Sequence, residues 1–260
     1  ALGPLAAALW ALADRCVVVD PPGRPAGSEA LRAIVLTGSE DAFAGGADLA
    51  RLAALDGASA RTFITAVHEV CDAVRRLPVP VLARIRGPCL GAGMEIAAAC
   101  DLRLADEGAL FGMPEVRVGV PSVVEAALLP RLIGWARTRE LLLFGGTVDA
   151  RRAEAFGFLT QCAAPEALDR AVEARIGELA ETGPRAVALQ KALLARWERL
   201  PLDEAVAAGV EAFVRAWETD EPRRLAADFF ERRGRPVPAV GRGDEAASRA
   251  RSRPSTKKKQ

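Results

Sequence analysis

The chain has 260 residues, of which 50% are hydrophobic and 27% charged, so it is a globular protein rather than a disordered one. Its net charge of +1 gives no general attraction for nucleic acid or membranes. No run of about 18 apolar residues could span a bilayer, and no basic segment of a signal peptide precedes the first apolar stretch. Five scattered cysteines without metal-binding spacing indicate reduced thiols and a cytoplasmic protein: Cys16, Cys71, Cys89, Cys100 and Cys162.

Strand patterns occupy the front two thirds of the chain. Residues 2–14 predict a helix, and 17–19 begin a strand that the proline-rich residues 21–28 end. Short runs rich in β-branched and other apolar residues predict further strands, at 32–36, 79–85, 102–104, 110–111 and 158–162.

Helical patterns lie between and after these strands. Residues 60–76 have apolar residues at helical spacing from Phe63 to Val74. Beyond residue 122 helices dominate, and the segments 184–197 and 201–217 each open with a proline, as helices often do. The layout predicts an α/β core at 1–183, a helical region at 184–233 and a disordered basic tail at 234–260.

A glycine-rich turn follows the strand at 32–36. In Phe-Ala-Gly-Gly-Ala-Asp-Leu (43–49) adjacent glycines permit close backbone approaches and leave amides free to meet an anion. The alternative is an ordinary strand-to-helix loop in which Asp48 caps the helix.

A second turn, Gly91-Ala92-Gly93, opens the helix that carries Glu95. Free amides at the positive end of this helix would favour a developing negative charge. A dinucleotide-binding loop is disfavoured, because position 96 is Ile where that motif requires glycine.

Two glutamates stand in this apolar, glycine-rich part of the chain. Glu95 and Glu115 are each flanked by apolar residues, so burial is expected to raise their pKa values. Two carboxyls at one site can divide the roles of acid and base. The alternative is that each is a separately satisfied buried acid, for example paired with Arg86 or Arg103.

Other polar residues have simpler interpretations. Ser-Val-Val-Glu (122–125) reads as a capping box that opens a helix over 123–133, with a third carboxylate of the site as the alternative. His68 is the only histidine. It flanks the apolar face of helix 60–76, and Asp72, four residues on, is its expected partner.

Together and in this order, these segments resemble the crotonase (enoyl-CoA hydratase/isomerase) family. The resemblance covers roughly residues 30–235. The matching stretches are Ile-Val-Leu-Thr-Gly-Ser-Glu-Asp-Ala-Phe-Ala-Gly-Gly-Ala-Asp-Leu (34–49), residues 78–105, Phe-Gly-Met-Pro-Glu-Val-Arg-Val-Gly-Val-Pro (111–121) and Pro-Arg-Leu-Ile-Gly (130–134).

The resemblance implies a spiral of ββα units followed by a helical oligomerisation region. It implies that the amides of Ala47 and Ala92 hold the thioester oxygen of an acyl-CoA substrate, with Glu95 and Glu115 handling water. It implies hydration of 2-enoyl-CoA, with isomerisation of a 3-enoyl-CoA, or a non-catalytic CoA-binding relative, as alternatives. The substrate contacts that it implies come from Ala44, Gly46, Asp48, Leu49, Gly91, Ser122 and Glu125.

The resemblance further implies a homotrimer or hexamer and no metal or cofactor, since coenzyme A is part of the substrate. Residues 206–217 have apolar residues at helical spacing. This stripe agrees with a contact between copies of the chain, and the alternative is that it packs within its own chain. Ala92 stands where many relatives have glycine, and Ser122 and Glu125 replace a glycine-rich stretch. The family's opening strands are expected upstream of residue 1. An organelle-targeting segment upstream of residue 1 is an open alternative to the cytoplasmic location.

Overall fold

The computed structural model describes residues 31–235. The helix predicted at 2–14, the strand predicted from 17 and almost all of the predicted basic tail lie outside these residues. The chain divides into two compact units, of which the first ends at Ala216 and the second begins at Trp217. The predicted division between 183 and 184 is a different boundary and stays a prediction.

Short strands and helices alternate along the described chain. The strands are β1 (Ile34–Thr37), β2 (Val81–Ile85), β3 (Pro88–Leu90), β4 (Leu102–Asp106), β5 (Leu110–Gly112), β6 (Thr147–Asp149) and β7 (Gln161–Ala163). The α-helices are α1 (Leu49–Ala53), α2 (Gly57–Arg76), α3 (Ala92–Ala99), α4 (Leu129–Phe144), α5 (Ala150–Ala155), α6 (Leu168–Ala180), α7 (Pro184–Trp197), α8 (Leu202–Ala216) and α9 (Glu221–Arg232). Short 3-10 helices lie at Pro114–Val118, Val124–Leu128 and Pro165–Ala167.

The strands form two sheets. The larger has the order β1-β2-β4-β7 and is parallel throughout. The smaller has the order β3-β5-β6, in which β3 and β5 are parallel and β5 and β6 antiparallel. Parallel strands are normally covered on both faces, and β2 is buried at four of its five positions.

The two faces of the larger sheet are packed separately. Leu82 and Leu104 point to one face, where they pack with Leu168 and Val172 of α6. Their sequence neighbours point to the other face, into the larger core shared with α2, α3 and α4. No helix within residues 31–235 is both long and apolar enough to cross a membrane.

The predicted strands exist, but their ends are shifted. The strand predicted from residue 79 begins at Val81, because Pro80 has no amide hydrogen to donate to a ladder. The strand predicted from residue 158 begins at Gln161, because the amides of Phe158 (2.9 Å) and Leu159 (3.3 Å) donate to the Ala153 carbonyl of the preceding helix and not to a neighbouring strand. Strands β3 and β6 were not predicted as strands, since each has three residues and its pairing is set by distant segments.

The helix prediction for 60–76 is confirmed, and the helix starts earlier, at Gly57. Asp56 caps it, accepting from the Ser59 amide (2.8 Å), while the Ser59 hydroxyl accepts from the Asp56 amide (2.8 Å). This reciprocal capping satisfies two amides that a helix start would otherwise leave unpaired. The helix predicted at 184–197 is confirmed with those bounds, and the next one is Leu202–Ala216.

A buried lysine holds α7 against the larger core. The ammonium group of Lys191 donates to the carbonyls of Val74 (3.3 Å) and Val79 (3.0 Å) and pairs with Asp101 (2.6 Å). The same Asp101 carboxylate accepts from the amide of Val81 at the start of β2 (2.7 Å). One charge pair therefore joins α7, the end of α2 and β2.

We predict that Lys191→Met lowers the free energy of unfolding by about 2 kcal/mol, because it removes hydrogen bonds to a charged group and leaves two carbonyls unpaired. Urea unfolding measures the change. The control is Arg175→Met, which removes the exposed pair with Glu178 in α6 and is expected to change stability by less than about 0.5 kcal/mol. Equal effects of the two substitutions would contradict a role for Lys191 in joining these elements.

Candidate active site

The candidate site forms where the loop after β1 runs beside β3. The Ala44 amide donates to the Pro88 carbonyl (3.0 Å), and the Leu90 amide donates to the Ala44 carbonyl (2.9 Å). On the other edge, the Gly91 amide donates to the Gly112 carbonyl of β5 (2.9 Å). Because β3 is hydrogen-bonded on both edges, the residues that follow Ala44 in the loop lie beside the residues that follow Leu90 at the end of β3.

Three glycines permit this close approach. Gly46 (φ +92°) and Gly91 (φ +54°) are in left-handed conformations that side chains disfavour. A Cβ on Gly91 would also collide with Oε1 of Glu115. At Gly93 a Cβ would lie 2.6 Å from the Ala44 carbonyl oxygen, so α3 packs directly on the loop backbone.

Two backbone amides beside these glycines are available to a ligand. Ala92 is the first residue of α3, where helical amides have no partner within their own helix. Ala47 follows Gly46 in the loop. Neither amide donates to a protein acceptor within residues 31–235, and both residues line one cleft. The positive end of α3 adds to the attraction that these amides have for an anionic oxygen.

The cleft has a volume of about 680 Å³, a size typical of small-molecule sites. Its carboxyl groups come from Glu95 of α3 and from Glu115. Most of the remaining wall is apolar and comes from the region of α1 and α2 and from the segment after Glu115: Leu49, Leu52, Leu55, Phe63, Ile64 and Val67, and Val118, Val120 and Val123.

Glu95 is buried in the first turn of α3, with 3% of its surface exposed. Burial, followed by the charge of Glu115, raises the pKa of Glu95 to about 8. Hydrogen bonding from the amides of Ala126 and Val123 opposes this rise. The Glu95 carboxyl is therefore protonated at neutral pH and can act as an acid.

Glu115 reaches the same cleft from the 3-10 helix at Pro114–Val118. The hydroxyl of Ser122 donates to its Oε2 (2.8 Å), and its Oε1 lies against Gly91. The Val120 amide donates to the backbone carbonyl of Glu115 (3.2 Å), so the chain turns back toward Glu115 after the 3-10 helix. Glu115 is thus held in one orientation at the edge of the cleft, while Glu95 lies deeper.

The structure brings together most of the site residues indicated by the sequence. Those that line the cleft are Gly46, Ala47, Leu49, Gly91, Ala92, Glu95, Glu115 and Ser122. Ala44 lies behind the lining in its bridge with Cys89. Asp48 caps α1 by accepting from the Ala50 amide (2.9 Å), as the alternative interpretation held. Whether the lining residues contact a substrate stays a prediction.

The predicted capping box at 122–125 is wrong. The segment forms a 3-10 helix at Val124–Leu128 without a side-chain cap, and α4 begins only at Leu129. Ser122 donates instead to Glu115, and Glu125 is buried behind the cleft wall with 8% of its surface exposed. The local pattern failed because tertiary partners for both side chains compete with the cap.

The partner predicted for His68 is also wrong. Asp72 pairs with Arg76 (2.7 Å) on the outer side of α2. The Nδ1 atom of His68 lies 2.8 Å from Oε1 of Glu125. Spacing along a helix could not reveal this partner, because the two residues are 57 positions apart in the sequence.

Arg86 and Arg103 do not neutralise the two glutamates. Arg103 is buried and donates to the carbonyls of Phe158 (2.6 Å) and Cys100 (2.6 Å). Arg86 pairs with Glu40 (3.0 Å) on another side of the fold. Pairing of the two glutamates with Arg86 or Arg103 is therefore wrong.

The sequence prediction missed much of the cleft wall. Phe63 and Val67 lie on the apolar stripe of α2, which was interpreted only as a packing face, yet both line the cleft. Arg61 and Arg117 line it as well. The apolar stripe of α2 could have indicated that Phe63 and Val67 line the cleft. The position of Arg117 could not be predicted, because it depends on how the chain turns after Glu115.

We predict that, as pH rises from 5 to 8, the free energy of unfolding of the wild type falls relative to that of Glu95→Gln. Burial raises the pKa of Glu95 from its ordinary 4.5 to about 8, so the stability linked to its proton is complete below 4.5 and is lost as pH rises through 8. Urea unfolding at several pH values measures the difference. Glu173→Gln, at an exposed position of α6, should show no such trend, and a pH-independent difference for Glu95→Gln would contradict the prediction.

The sequence profile of the enoyl-CoA hydratase/isomerase family matches residues 25–237. The chain is 32% identical over 206 residues to crotonyl-CoA hydratase of Syntrophomonas wolfei, an alignment that covers 78% of this chain and 79% of the relative. It is 31% identical over 203 residues to short-chain-enoyl-CoA hydratase of Clostridium acetobutylicum, covering 77% and 78% of the two chains.

Solved structures agree with this match. An enoyl-CoA hydratase of Mycobacterium smegmatis superposes with a TM-score of 0.79 at 28% identity, covering 91% of this chain and 87% of that one. An enoyl-CoA hydratase of Bacillus anthracis gives 0.78 at 26% identity, covering 92% and 88%. The expected crotonase fold is confirmed. The chain therefore belongs to the enoyl-CoA hydratase/isomerase family.

Proposed function

We propose that the protein hydrates 2-enoyl-CoA thioesters to 3-hydroxyacyl-CoA. The observation that carries this proposal is the convergence of two carboxyl groups and two unpartnered amides on one cleft. Two of the similar proteins bear the names crotonyl-CoA hydratase and short-chain-enoyl-CoA hydratase, which supports the same reaction here.

The amides of Ala47 and Ala92 are proposed to receive the thioester oxygen. When water adds to C3 of the enoyl group, negative charge develops on this oxygen. Preorganised amides at the positive end of α3 stabilise that charge more than they stabilise the uncharged substrate. In a cleft with mostly apolar walls, this stabilisation is stronger than it would be in water.

The two glutamates are proposed to divide the proton transfers. Glu95, which burial keeps protonated at neutral pH, delivers its proton to C2. Glu115, oriented by Ser122, takes a proton from the water as the water oxygen bonds to C3. The proton lost by Glu95 and the proton gained by Glu115 balance, and exchange with solvent restores both groups.

The proposal assigns no role to a metal or redox cofactor, because water addition leaves the oxidation level of the thioester unchanged. Coenzyme A enters as part of the substrate. We place Ala47, Ala92, Glu95 and Glu115 in contact with the reacting atoms. The further substrate contacts proposed at the cleft are Gly46, Leu49, Gly91 and Ser122.

We predict that the purified protein consumes crotonyl-CoA, with loss of the absorbance of the conjugated thioester. Glu95→Gln and Glu115→Gln should each lower kcat about 10²–10⁴-fold, the range expected for loss of an acid or base. Glu173→Gln, an exposed glutamate in α6, serves as the control and should leave the rate unchanged.

Two rival functions have distinct outcomes in the same assays. Conversion of a 3-enoyl-CoA to a 2-enoyl-CoA without hydration would favour an isomerase, in which one carboxyl moves a proton between C4 and C2. Binding of CoA thioesters without turnover would favour a non-catalytic relative. Either result would overturn the proposed hydratase.

We further propose that the protein is a homotrimer or hexamer. Helix α8 exposes apolar side chains that a contact between copies would cover, including Leu202 (81% exposed), Val206 (60%) and Val210 (59%). This exposure favours the interpretation of the stripe as a contact between copies. A cytoplasmic location is proposed from the free thiols of Cys71, Cys89, Cys100 and Cys162.

Sedimentation or light scattering tests the assembly. We expect a mass of at least three chains, and we expect Val206→Glu together with Val210→Glu to shift the protein toward smaller species. A control substitution at Glu211, also on α8, to Gln should leave the mass unchanged. A monomeric wild-type protein would contradict the assembly.

A further inference from the structure

Ser122 and Glu115 form a hydrogen-bonded pair at the edge of the cleft. The Ser122 hydroxyl donates to Oε2 of Glu115 (2.8 Å), seven positions earlier in the chain. The bond from the Val120 amide to the Glu115 carbonyl (3.2 Å) turns the chain back and brings Ser122 within reach. Both residues line the cleft and are partly exposed. The pair therefore belongs to the surface that a ligand contacts.

The bond to Glu115 uses the one proton that Ser122 can donate. A serine hydroxyl has one donor hydrogen and two acceptor lone pairs. Within residues 31–235 no N–H or O–H group donates to this hydroxyl. Toward the cleft, Ser122 therefore presents a hydrogen-bond acceptor, and a ligand group that bonds to it must carry a polar hydrogen.

The Glu115 carboxyl extends from Gly91 to Ser122. Its Oε1 lies beside Gly91, where a Cβ would collide with it, and its Oε2 is held by Ser122. Gly91 precedes Ala92, whose amide is proposed to hold the thioester oxygen. Ser122 thus lies on the opposite side of the carboxyl from the proposed position of this oxygen.

We propose that Ser122 accepts a hydrogen bond from the attacking water and, after the addition, from the 3-hydroxyl group of the product. The proposal rests on the proposed hydration. With the thioester oxygen at the amide next to Gly91, C3 is two bonds beyond the carbonyl carbon and reaches toward Ser122. Ser122 is therefore a specificity-determining residue for a hydroxyl group at C3.

The proton count of the reaction agrees with this contact. Water has two O–H bonds, and one of them breaks as the water oxygen bonds to C3 and a glutamate takes the proton. The other glutamate supplies the proton that C2 gains. The second O–H bond of the water is kept and becomes the hydroxyl group of the product. Ser122 can accept from this O–H throughout, whichever glutamate takes the first proton.

The apolar neighbours of Ser122 strengthen the selectivity. Val120, Pro121 and Val123 line the same part of the wall, and their side chains offer no hydrogen-bonding group. A 3-hydroxyl group placed here without Ser122 would give up its bonds to water and gain no replacement. An acyl chain without a hydroxyl has no such loss. Ser122 therefore favours hydroxylated over unsubstituted acyl chains.

Two CoA thioesters that differ only at C3 test the proposal. They are butyryl-CoA and 3-hydroxybutyryl-CoA, the latter as its tighter-binding enantiomer. Calorimetry on the full chain with Glu95→Gln, which slows turnover, measures both dissociation constants. Adding Ser122→Ala should weaken binding of 3-hydroxybutyryl-CoA about three- to tenfold, as for the loss of one hydrogen bond, and change that of butyryl-CoA less than about twofold. Equal changes for the two ligands, or no change for either, would overturn the proposal.

A conservative substitution and a matched control accompany this measurement. Ser122→Thr keeps the hydroxyl and should retain most of the preference for 3-hydroxybutyryl-CoA. Thr62→Ala removes an exposed hydroxyl of α2, which donates to the Ala58 carbonyl (3.3 Å), and should leave both dissociation constants unchanged. If Ser122→Thr unfolds at the wild-type temperature and loses the preference as fully as Ser122→Ala, the hydroxyl does not have the proposed role.

Steady-state kinetics give a second readout. Ser122→Ala should lower kcat for hydration about three- to tenfold, because the water is held less firmly. The KM for crotonyl-CoA should be nearly unchanged, because this substrate has no hydroxyl, whereas the KM for 3-hydroxybutyryl-CoA in the reverse reaction should rise. An equal rise in both KM values would indicate a merely structural role for Ser122.

The binding measurement separates this proposal from the proposed function, because it does not require turnover. A preference for 3-hydroxybutyryl-CoA that depends on Ser122 would support recognition of the hydroxyl even if the wild-type protein did not hydrate crotonyl-CoA. Hydration by the wild type, together with an unaltered preference in Ser122→Ala, would overturn the proposal and leave the proposed function in place.

Discussion

Strand β3 is hydrogen-bonded along both edges, to the loop at Ala44 on one side and to β5 on the other, and the site depends on this arrangement. The three-residue strand places the end of the loop and the start of α3 side by side. Glycine is favoured at 46 and 91 by their positive φ, and at 93 because a Cβ would collide with the backbone of Ala44. The amides of Ala47 and Ala92 line one cleft as a consequence.

The carboxyl groups of Glu95, Glu115 and Glu125 lie close together, and two of them, Glu95 and Glu125, are buried, so their negative charges repel one another. Glu95 responds by holding its proton, as burial and the charge of Glu115 raise its pKa to about 8. Glu115 is oriented by Ser122, and Glu125 is held by His68. Each acid thus has a different environment, and different environments are what allow similar side chains to take different roles in proton transfer.

Prediction from the sequence succeeded where the signal is local. The apolar periodicity of residues 60–76 and the proline at 184 identified helices that the structure contains, because helical hydrogen bonds join residues close in sequence. It failed at Ser122 and Glu125, where a pattern typical of a helix cap was overridden by distant partners. Strand β6 was missed for a related reason, since three residues carry too little pattern to reveal their pairing with β5.

The sequence by itself determined the family, the glycine turns and the two glutamates of the candidate site, because these rest on residue types in a fixed order along the chain. Only the tertiary structure decided that Glu95 is the deeper, protonated acid and that Asp48 caps a helix. It alone revealed the bond between His68 and Glu125 and the left-handed backbone of Val124. Burial, charge coupling and backbone strain arise from contacts between segments far apart in the chain, and no local pattern contains them.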